Sequence, residues 1–209
     1  MQISRRRHPI KRGHVEPDQQ TTTPQSHAAA DAPARRPDAA AHLIFWSIVI
    51  GGIAADLASK RAIFAWLKTV PNEQYQVIDG LFRLVRWEND GAAFSIAGGR
   101  TSLLIAVSVV ALVVVLAIFL FGRVHQRVMQ VALAMFAAGI AGNLYDRAFN
   151  NGCVRDFLDF YWRGRHWPAF NLADSMLCTA VGLLLLVNLT SAFSQKPARQ
   201  QTAAHPDPH

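Results

Sequence analysis

The chain has 209 residues, of which 51% are hydrophobic and 17% charged, and its formal net charge is +7. A soluble globular domain carries about 25% charged residues, so this mixture is unusual for that class. Charge and proline concentrate at the N-terminus, where five of the ten prolines and seven of the 21 Lys and Arg residues precede residue 38. The composition therefore excludes a uniform soluble domain and predicts a basic tail followed by mostly membrane sequence.

Residues 1–41 contain too few apolar side chains to offset the entropy of ordering, so we predict a disordered cytoplasmic tail. A basic run like Arg5–Arg7 can bind nucleic acid in other settings. Beside a membrane segment it is more typical of a tail that sets orientation and contacts anionic lipid. We therefore expect contact with membrane lipids and no nucleic-acid partner. The first apolar run begins at Leu43 and lacks the cleavage site of a secretory signal peptide.

Four later segments are apolar enough to cross a bilayer, which takes about 20 residues each. We predict spans at residues 42–62, 102–121, 128–147 and 171–193. Basic residues precede the first span, lie between the second and the third, and follow the fourth. The residues after the fourth span, 195–209, are predicted to form a disordered tail. This bias predicts that both termini are cytoplasmic and that segments 63–101 and 148–170 lie on the extracytoplasmic side.

The two outer segments have different patterns. YQVI and LFRLVRWE flank the turn signal Asp79-Gly80 and predict two short strands. The stretch NDGAAFS follows, and its small residues would allow an extended peptide to approach closely. In residues 157–170 aromatic and charged side chains alternate, which is typical of an interfacial helix or loop at headgroup level. The predicted fold is an all-α polytopic membrane protein with four transmembrane helices, a small extracytoplasmic β-sheet and this interfacial helix or loop.

Ionisable residues within the spans need partners. Asp56 and Lys60 are four residues apart and share one helical face. They form a self-neutralising pair, with Lys60 extending to the headgroups, or a pair braced against acids of other spans, and both can hold together. Asn143 and Asp146 share a face of the third span and also need partners. Arg147 is the nearest cation in sequence. Its partner is Asp146 itself, a lipid phosphate or a substrate carbonyl, and a structural ion pair with Asp146 is favoured.

Two further acids are candidates for catalysis. Asn171 and Asp174 follow Pro168 in the arrangement of a helix N-terminus, which explains Asp174 without any chemistry. The helix dipole also favours its ionised form, so a second acid nearby would hold the proton. Asp156 is favoured over Asp159 for that role because it lies closer to the third span. Two carboxyl groups sharing one proton can activate water for peptide hydrolysis.

Four blocks carry a family resemblance: DLASK from Asp56, NDGAAFS from Asn89, GNLYDR through GCVRDF from Gly142, and FNLADS from Phe170. In this order and spacing they resemble the lipoprotein signal peptidases, or signal peptidase II, over residues 43–193. The resemblance implies that Asp156 and Asp174 are the catalytic aspartates. It implies supporting roles for a further set: Asp56, Lys60, Asn89, Gly91, Asn143, Asp146, Arg147 and Asn171.

The resemblance further implies a four-span peptidase domain at residues 42–194 in a prokaryotic cytoplasmic (inner) membrane, with its active site at the extracytoplasmic face. Such an enzyme cuts diacylglyceryl-modified prolipoproteins on the N-terminal side of the lipidated cysteine, without metal or cofactor, and is a target of globomycin-type inhibitors. Arg155 replaces an apolar residue of the family pattern, so it either lowers a carboxyl pKa beside Asp156 or points to solvent. The alternative function is a small ion- or proton-coupled transporter subunit that binds cations at its membrane acids.

Overall fold

The computed structural model describes residues 37–91, 100–122 and 124–194, with the side chains of 191–194 left out, and the statements below concern those residues. The predicted C-terminal tail and nearly all of the predicted N-terminal tail lie outside them. So does the AAFS part of the NDGAAFS stretch. The predicted N-terminal tail ends earlier than expected, because helix already begins at Ala39.

Four long helices form the membrane part: α1 (Ala39–Leu67), α2 (Thr101–Phe121), α3 (Arg127–Phe149) and α4 (Leu172–Ser194). Each is long and apolar enough to cross a bilayer, which confirms the four predicted spans. Asp38 caps α1, because its Oδ1 accepts from the backbone N–H of Ala41 at 2.7 Å. Its Oδ2 accepts from Arg127 Nη2 at 2.9 Å. These bonds, the one from Arg127 foremost, lower the pKa of Asp38 and join the starts of α1 and α3.

Helix α3 contacts all three other helices. Its buried residues are mostly Ala and Gly, which allow helix backbones to approach closely. At Gly139 a Cβ would lie 2.6 Å from the backbone oxygen of Ala173, so a side chain there would push α4 away. By contrast, α2 buries only Val115 and Phe119. The third span is therefore the centre of the bundle and the second its outer scaffold.

Four strands form one end of the molecule: β1 (Gln74–Ile78), β2 (Phe82–Asn89), β3 (Val154–Trp162) and β4 (Arg165–His166). They make an antiparallel sheet in the order β1-β2-β3-β4, and a short 3-10 turn, Pro71–Glu73, precedes β1. Because β2 follows α1 and β3 follows α3, this pairing places both predicted outer segments at the same end of the bundle. The small sheet and its first hairpin were predicted correctly.

The prediction of an interfacial helix or loop over residues 157–170 was wrong for residues 157–162 and 165–166, which are strands. Residues 154–162 are strand β3, paired on one side with β2 and on the other with β4. The segment is rich in the aromatic and branched residues that favour strands, and the free edge of β2 supplies its hydrogen-bond partners. Arg163 and Gly164 have positive φ of 50° and 77°, as a two-residue type I′ hairpin turn requires.

Candidate active site

The charged pair of α1 lies completely buried at the sheet end of the bundle. Lys60 Nζ is 2.8 Å from Asp56 Oδ2, 3.0 Å from Asn143 Oδ1 and 3.2 Å from Asp146 Oδ2. Asp56 Oδ1 also accepts from the backbone N–H of Ala173, at 2.9 Å, in the first turn of α4. Lys60 therefore does not extend to the headgroups. The structure has Asp56 and Lys60 paired with each other and also braced against α3 and α4.

The predicted pairing of Asp146 with Arg147 was wrong. Asp146 accepts from the backbone N–H of Arg155 at 3.0 Å and from its Nε at 3.1 Å, and its Oδ1 also contacts Nη2. Arg147 Nη2 instead donates to the carbonyl oxygen of Gly91 at 2.9 Å. Adjacent residues of a helix point about 100° apart, so Asp146 and Arg147 face different neighbours.

Of the two expectations for Arg155, exposure to solvent was wrong. Arg155 does pair with a carboxylate, but this is Asp146 and not Asp156. Successive side chains of a strand point to opposite faces, so Arg155 lies on the face away from Asp156. There it neutralises Asp146, together with Lys60. The cation that departs from the family pattern therefore belongs to the ion network beneath the site.

Asp156, on β3, is 1% exposed and accepts two amide hydrogen bonds. Asn171 Nδ2 donates to its Oδ1 at 2.6 Å, and Asn89 Nδ2 donates to its Oδ2 at 3.1 Å. Burial first, and the carboxylate of Asp174 second, raise the pKa of Asp156 from its ordinary 3.8 to about 7. The two amides and the charge of Lys60 act in the opposite direction. Near neutral pH this carboxyl is therefore ready to hold or release a proton.

Asp174 forms the capping arrangement that the sequence predicts. The backbone N–H of Asp174 donates to Asn171 Oδ1 at 3.0 Å, and Asp174 Oδ2 accepts from the backbone N–H of Asn171 at 3.1 Å. Asp174 Oδ1 accepts from Asn143 Nδ2 at 2.7 Å. Asn171 therefore contacts both candidate acids, one through each side of its amide group.

Asn143 is held so that its amide nitrogen faces Asp174. Its Oδ1 accepts from Lys60 Nζ at 3.0 Å and from Asn171 Nδ2 at 3.2 Å, so the oxygen is turned towards the two donors. The remaining Nδ2 donates to Asp174. A continuous chain of hydrogen bonds thus runs from the buried charges of α1 to the two acids. Such a fully bonded network limits movement of its members.

Both acids line a cavity of about 1200 Å³ between the sheet and the start of α4. Its lining includes three of the other predicted site residues, Asn89, Asn143 and Arg147. Asp56, Lys60 and Asp146 lie outside the lining and act as its support, while Gly91 accepts from Arg147. Among the described residues no group of three or more His, Cys, Asp or Glu is placed to hold a metal ion.

Asp159, the less favoured acid, is buried and is not a solvated charge. Arg83 Nε lies 2.6 Å from its Oδ2, and His166 Nδ1 lies 3.3 Å away. Asp159 lies three residues from Asp156 on β3 and lines the same cavity, but its partners are Arg83 and His166 and not the amides that hold Asp156. Several charged cavity residues were not predicted as site residues, although two arginines within the apolar strand LFRLVRWE were a signal for them. They are Glu73, Arg83, Arg86, Asp159 and His166.

The chain is similar to known proteins in sequence and in fold. The sequence model of the signal peptidase II family matches residues 48–190. A lipoprotein signal peptidase from Geobacter sulfurreducens is 43% identical over 144 residues, covering 68% of this chain and 88% of the relative. One from Rhodopirellula baltica is 34% identical over 184 residues, covering 78% and 81%. Neither relative is described as a transporter.

A solved structure, described as a bacterial membrane enzyme studied by the in meso method at 2.3 Å resolution, has the same fold. Its TM-score is 0.62 at 28% identity, covering 76% of this chain and 93% of that one. The family match runs from within the first span to within the fourth. The chain therefore belongs to the signal peptidase II family and is a multi-pass membrane peptidase.

Proposed function

We propose that the chain removes the signal peptide from diacylglyceryl-modified prolipoproteins by cutting on the N-terminal side of the lipidated cysteine. The relatives are named lipoprotein signal peptidases, and the lipid modification and the position of the cut are those that the family resemblance implies. The observation that carries the proposal is the placement of Asp156 and Asp174 on one cavity, both held by Asn171. The cavity lies at the end of the spans, where an acyl chain in the bilayer and a peptide at the surface would meet.

In the proposed reaction Asp174 is the general base and Asp156 the general acid. With its pKa raised to about 7, Asp156 can keep a proton at neutral pH and donate it to the oxygen of the scissile carbonyl. Asp174 takes a proton from a water molecule, whose oxygen then bonds to the carbonyl carbon. The result is a tetrahedral diol, reached without a covalent enzyme intermediate.

Collapse of the diol reverses the two roles. Asp174 donates its proton to the nitrogen of the lipidated cysteine, and the carbon–nitrogen bond breaks. Asp156 recovers a proton from one diol hydroxyl as the carbonyl re-forms. The products are the carboxylic acid of the signal peptide and the free amine of the cysteine, and the two acids return to their starting states.

The surrounding residues support binding and orientation in this proposal. Arg147 keeps its guanidinium in the cavity by donating to Gly91, where it can face a substrate carbonyl. We infer that the peptide lies extended beside Asn89 and the NDGAAFS stretch. Globomycin-type inhibitors would occupy the same cavity, by the family resemblance.

We infer an extracytoplasmic location for the site and a cytoplasmic location for both termini. Arg127, at the start of α3, lies at the opposite end of the spans from the sheet. In the sequence, Arg123 belongs to the same short connection and the basic N-terminal run precedes the first span. Lys and Arg are retained on the cytoplasmic side of such proteins. The membrane is then the prokaryotic cytoplasmic (inner) membrane, with its lipids around the four helices.

A gel-shift assay on a purified diacylated precursor tests this function. We expect Asp156→Asn and Asp174→Asn each to abolish cleavage, because each removes one half of the proton transfer. The matched control is Asp159→Asn, a third buried acid of the same cavity, which should retain most of the wild-type rate. Near-normal cleavage by either of the first two variants, with the protein folded in the membrane, would remove that residue from the acid pair.

A further inference from the structure

Helices α1 and α3 also meet at the surface of the bundle, beside the buried ion network. Arg61 follows the buried Lys60 on α1 and is exposed. Tyr145 precedes the buried Asp146 on α3 and is half-buried. Adjacent residues of a helix point about 100° apart, so both side chains point away from the network. There Arg61 Nη2 donates to the hydroxyl oxygen of Tyr145 at 3.0 Å. The described residues that line the cavity of the two acids include neither of them, so the cleavage mechanism does not explain this pair.

Arg61 lacks a counter-charge among the described residues. It makes no ion pair with any of them, and its side-chain hydrogen bond goes to the neutral hydroxyl of Tyr145. Arg127, the other exposed cation of the described spans, pairs with Asp38. A charge on a membrane span is costly unless a partner offsets it. The surface around Arg61 therefore favours an anion that comes from outside the described chain.

A second cation lies on the same face of α1. Lys68 follows the last residue of the helix and still has helical backbone angles, with φ −59° and ψ −22°. Seven residues make nearly two helical turns, so Lys68 lies above Arg61, about 10 Å farther along the axis. Ala65 lies between them on this face, and its small side chain leaves room there. Lys68 is exposed and its side chain has no partner among the described residues. Two cations without a counter-charge thus border one exposed surface.

The length of α1 places this surface at the level of the lipid headgroups. Its 29 residues span about 44 Å, close to the thickness of a bilayer with its headgroups. Arg61 lies six residues before the end of the helix, or about 9 Å, and hence near the boundary between hydrocarbon and headgroups. Aromatic side chains are enriched at that boundary. Trp66 and Phe149 are both exposed here, and the Phe149 ring centroid lies 4.8 Å from that of Tyr145.

Both side chains of the pair keep donors for a ligand. A guanidinium has several N–H donors, and one hydrogen bond of Arg61 goes to Tyr145. The tyrosine hydroxyl accepts that bond and keeps its own O–H, for which the described residues supply no acceptor. Arginine binds phosphate oxygens strongly and often through two parallel hydrogen bonds. A phosphate at headgroup level therefore matches the donors and the charge of this surface.

We propose that Arg61 and Tyr145 bind the phosphate of a phospholipid in the leaflet on the sheet side, with Lys68 attracting an anionic headgroup. The lipid bridges α1 and α3 beside the buried ion network, and its acyl chains lie in the bilayer along the two helices. The site goes beyond the proposed function, because the diacylglyceryl group of the proposed substrate carries no phosphate. Its ligand is a membrane lipid and not the precursor.

Native mass spectrometry of the detergent-purified full chain, titrated with phosphatidylglycerol, tests the site. Wild type should bind one lipid in a saturable way. We expect Arg61→Gln to raise the Kd of that lipid by about tenfold, the effect of one hydrogen bond to a charged group. Tyr145→Phe keeps the ring and loses a neutral donor, so its Kd should rise by about threefold. The matched control is Arg165→Gln, an exposed arginine outside the spans, which should bind the lipid as wild type does.

Three further ligands identify the group that is bound. Phosphatidylcholine should bind more weakly than phosphatidylglycerol, because its ammonium offsets the phosphate charge beside Lys68. Diacylglycerol has the same acyl chains without the phosphate and should not be retained. Thermal unfolding in detergent should shift to higher temperature with phosphatidylglycerol, because the lipid binds the folded state, and the shift should be smaller in Arg61→Gln. Inorganic phosphate alone should give no shift, since it lacks the acyl chains.

Equal affinity of wild type and Arg61→Gln for phosphatidylglycerol would overturn the site. So would diacylglycerol bound as tightly as phosphatidylglycerol, since the acyl chains alone would then explain the contact. A stabilising shift from inorganic phosphate as large as that from the lipid would make the ligand a free anion and overturn the lipid assignment. A dimer in place of the lipid adduct, lost in Arg61→Gln, would assign this surface to a second copy of the chain instead.

Discussion

The two halves of the helix bundle are held together by different interactions, and α1 contributes to both along one stripe. In one half Ala41, Phe45 and Val49 pack against Val115 and Phe119, and the rings of Phe45 and Phe119 stack with centroids 3.7 Å apart. In the other half the same stripe carries two buried charged residues, Asp56 and Lys60, before it ends in Phe64 and Leu67.

This difference shows what each half can tolerate. Lipid tails are as apolar as a Phe side chain. Helix association in the apolar half therefore gains van der Waals packing, but moving its side chains out of lipid contributes little. In the polar half each charge depends on the others, because an unpaired ion in the membrane is costly. We therefore expect each side-chain truncation in the apolar half to lower the stability by a modest amount. A single truncation in the polar half should disrupt its whole ion network.

The largest effect is expected for Lys60→Met. It removes the shared partner of Asp56 and Asp146 and one of the two donors to Asn143 Oδ1. Breaking a buried ion network by removing one partner costs about 3–5 kcal/mol. Thermal unfolding in detergent should show this loss, and cleavage should fall with it because Asn143 no longer holds Asp174. A variant with wild-type stability would mean that the network does not hold the helices together.

Phe45→Ala, in the apolar half, should have a smaller effect. The change removes the stacked ring and leaves a cavity, at a cost of about 2 kcal/mol. This is below the range for a buried Phe of a soluble core, because lipid can accept the exposed surface. The midpoint of unfolding should fall, while kcat and the pH profile of the folded fraction stay as in wild type. A change in the pH profile would contradict the separation of the two halves.

The smallest effect is expected for Asn89→Ala, and it concerns pH. The cleavage proposal needs Asp156 protonated, so kcat/KM should fall as pH rises through about 7. The hydrogen bond from Asn89 favours the ionised form and lowers this pKa. Its removal should raise the pKa of Asp156 and move the falling limb to higher pH. Profiles between about pH 5 and 9 would show the shift, and a shift to lower pH would contradict the assignment of Asp156 as the acid.

Local patterns in the chain were sufficient for the spans, the first hairpin and the cap of α4. Hydropathy, turn residues and capping spacing depend on neighbours in sequence, and the Asp56–Lys60 pair is likewise an i, i+4 contact. The same patterns failed for residues 154–162, because a strand needs a partner and β2 is far away in sequence. They failed again for Asp146, whose partners come from α1 and β3 and not from the adjacent Arg147.

What could be read from the residues alone was thus which segments cross the membrane and which polar groups need partners. The choice of partner was made by the packed chain, because it joins groups as far apart as Asp56 and Ala173, 117 residues away, and Lys60 and Asn143, 83 residues away. The close approach of α3 to α4 at Gly139 and Gly142 and the pairing of β2 with β3 bring these groups within hydrogen-bond distance. Hydrogen bonds and ion pairs act only over such short distances, so the arrangement of the acids emerges with the fold.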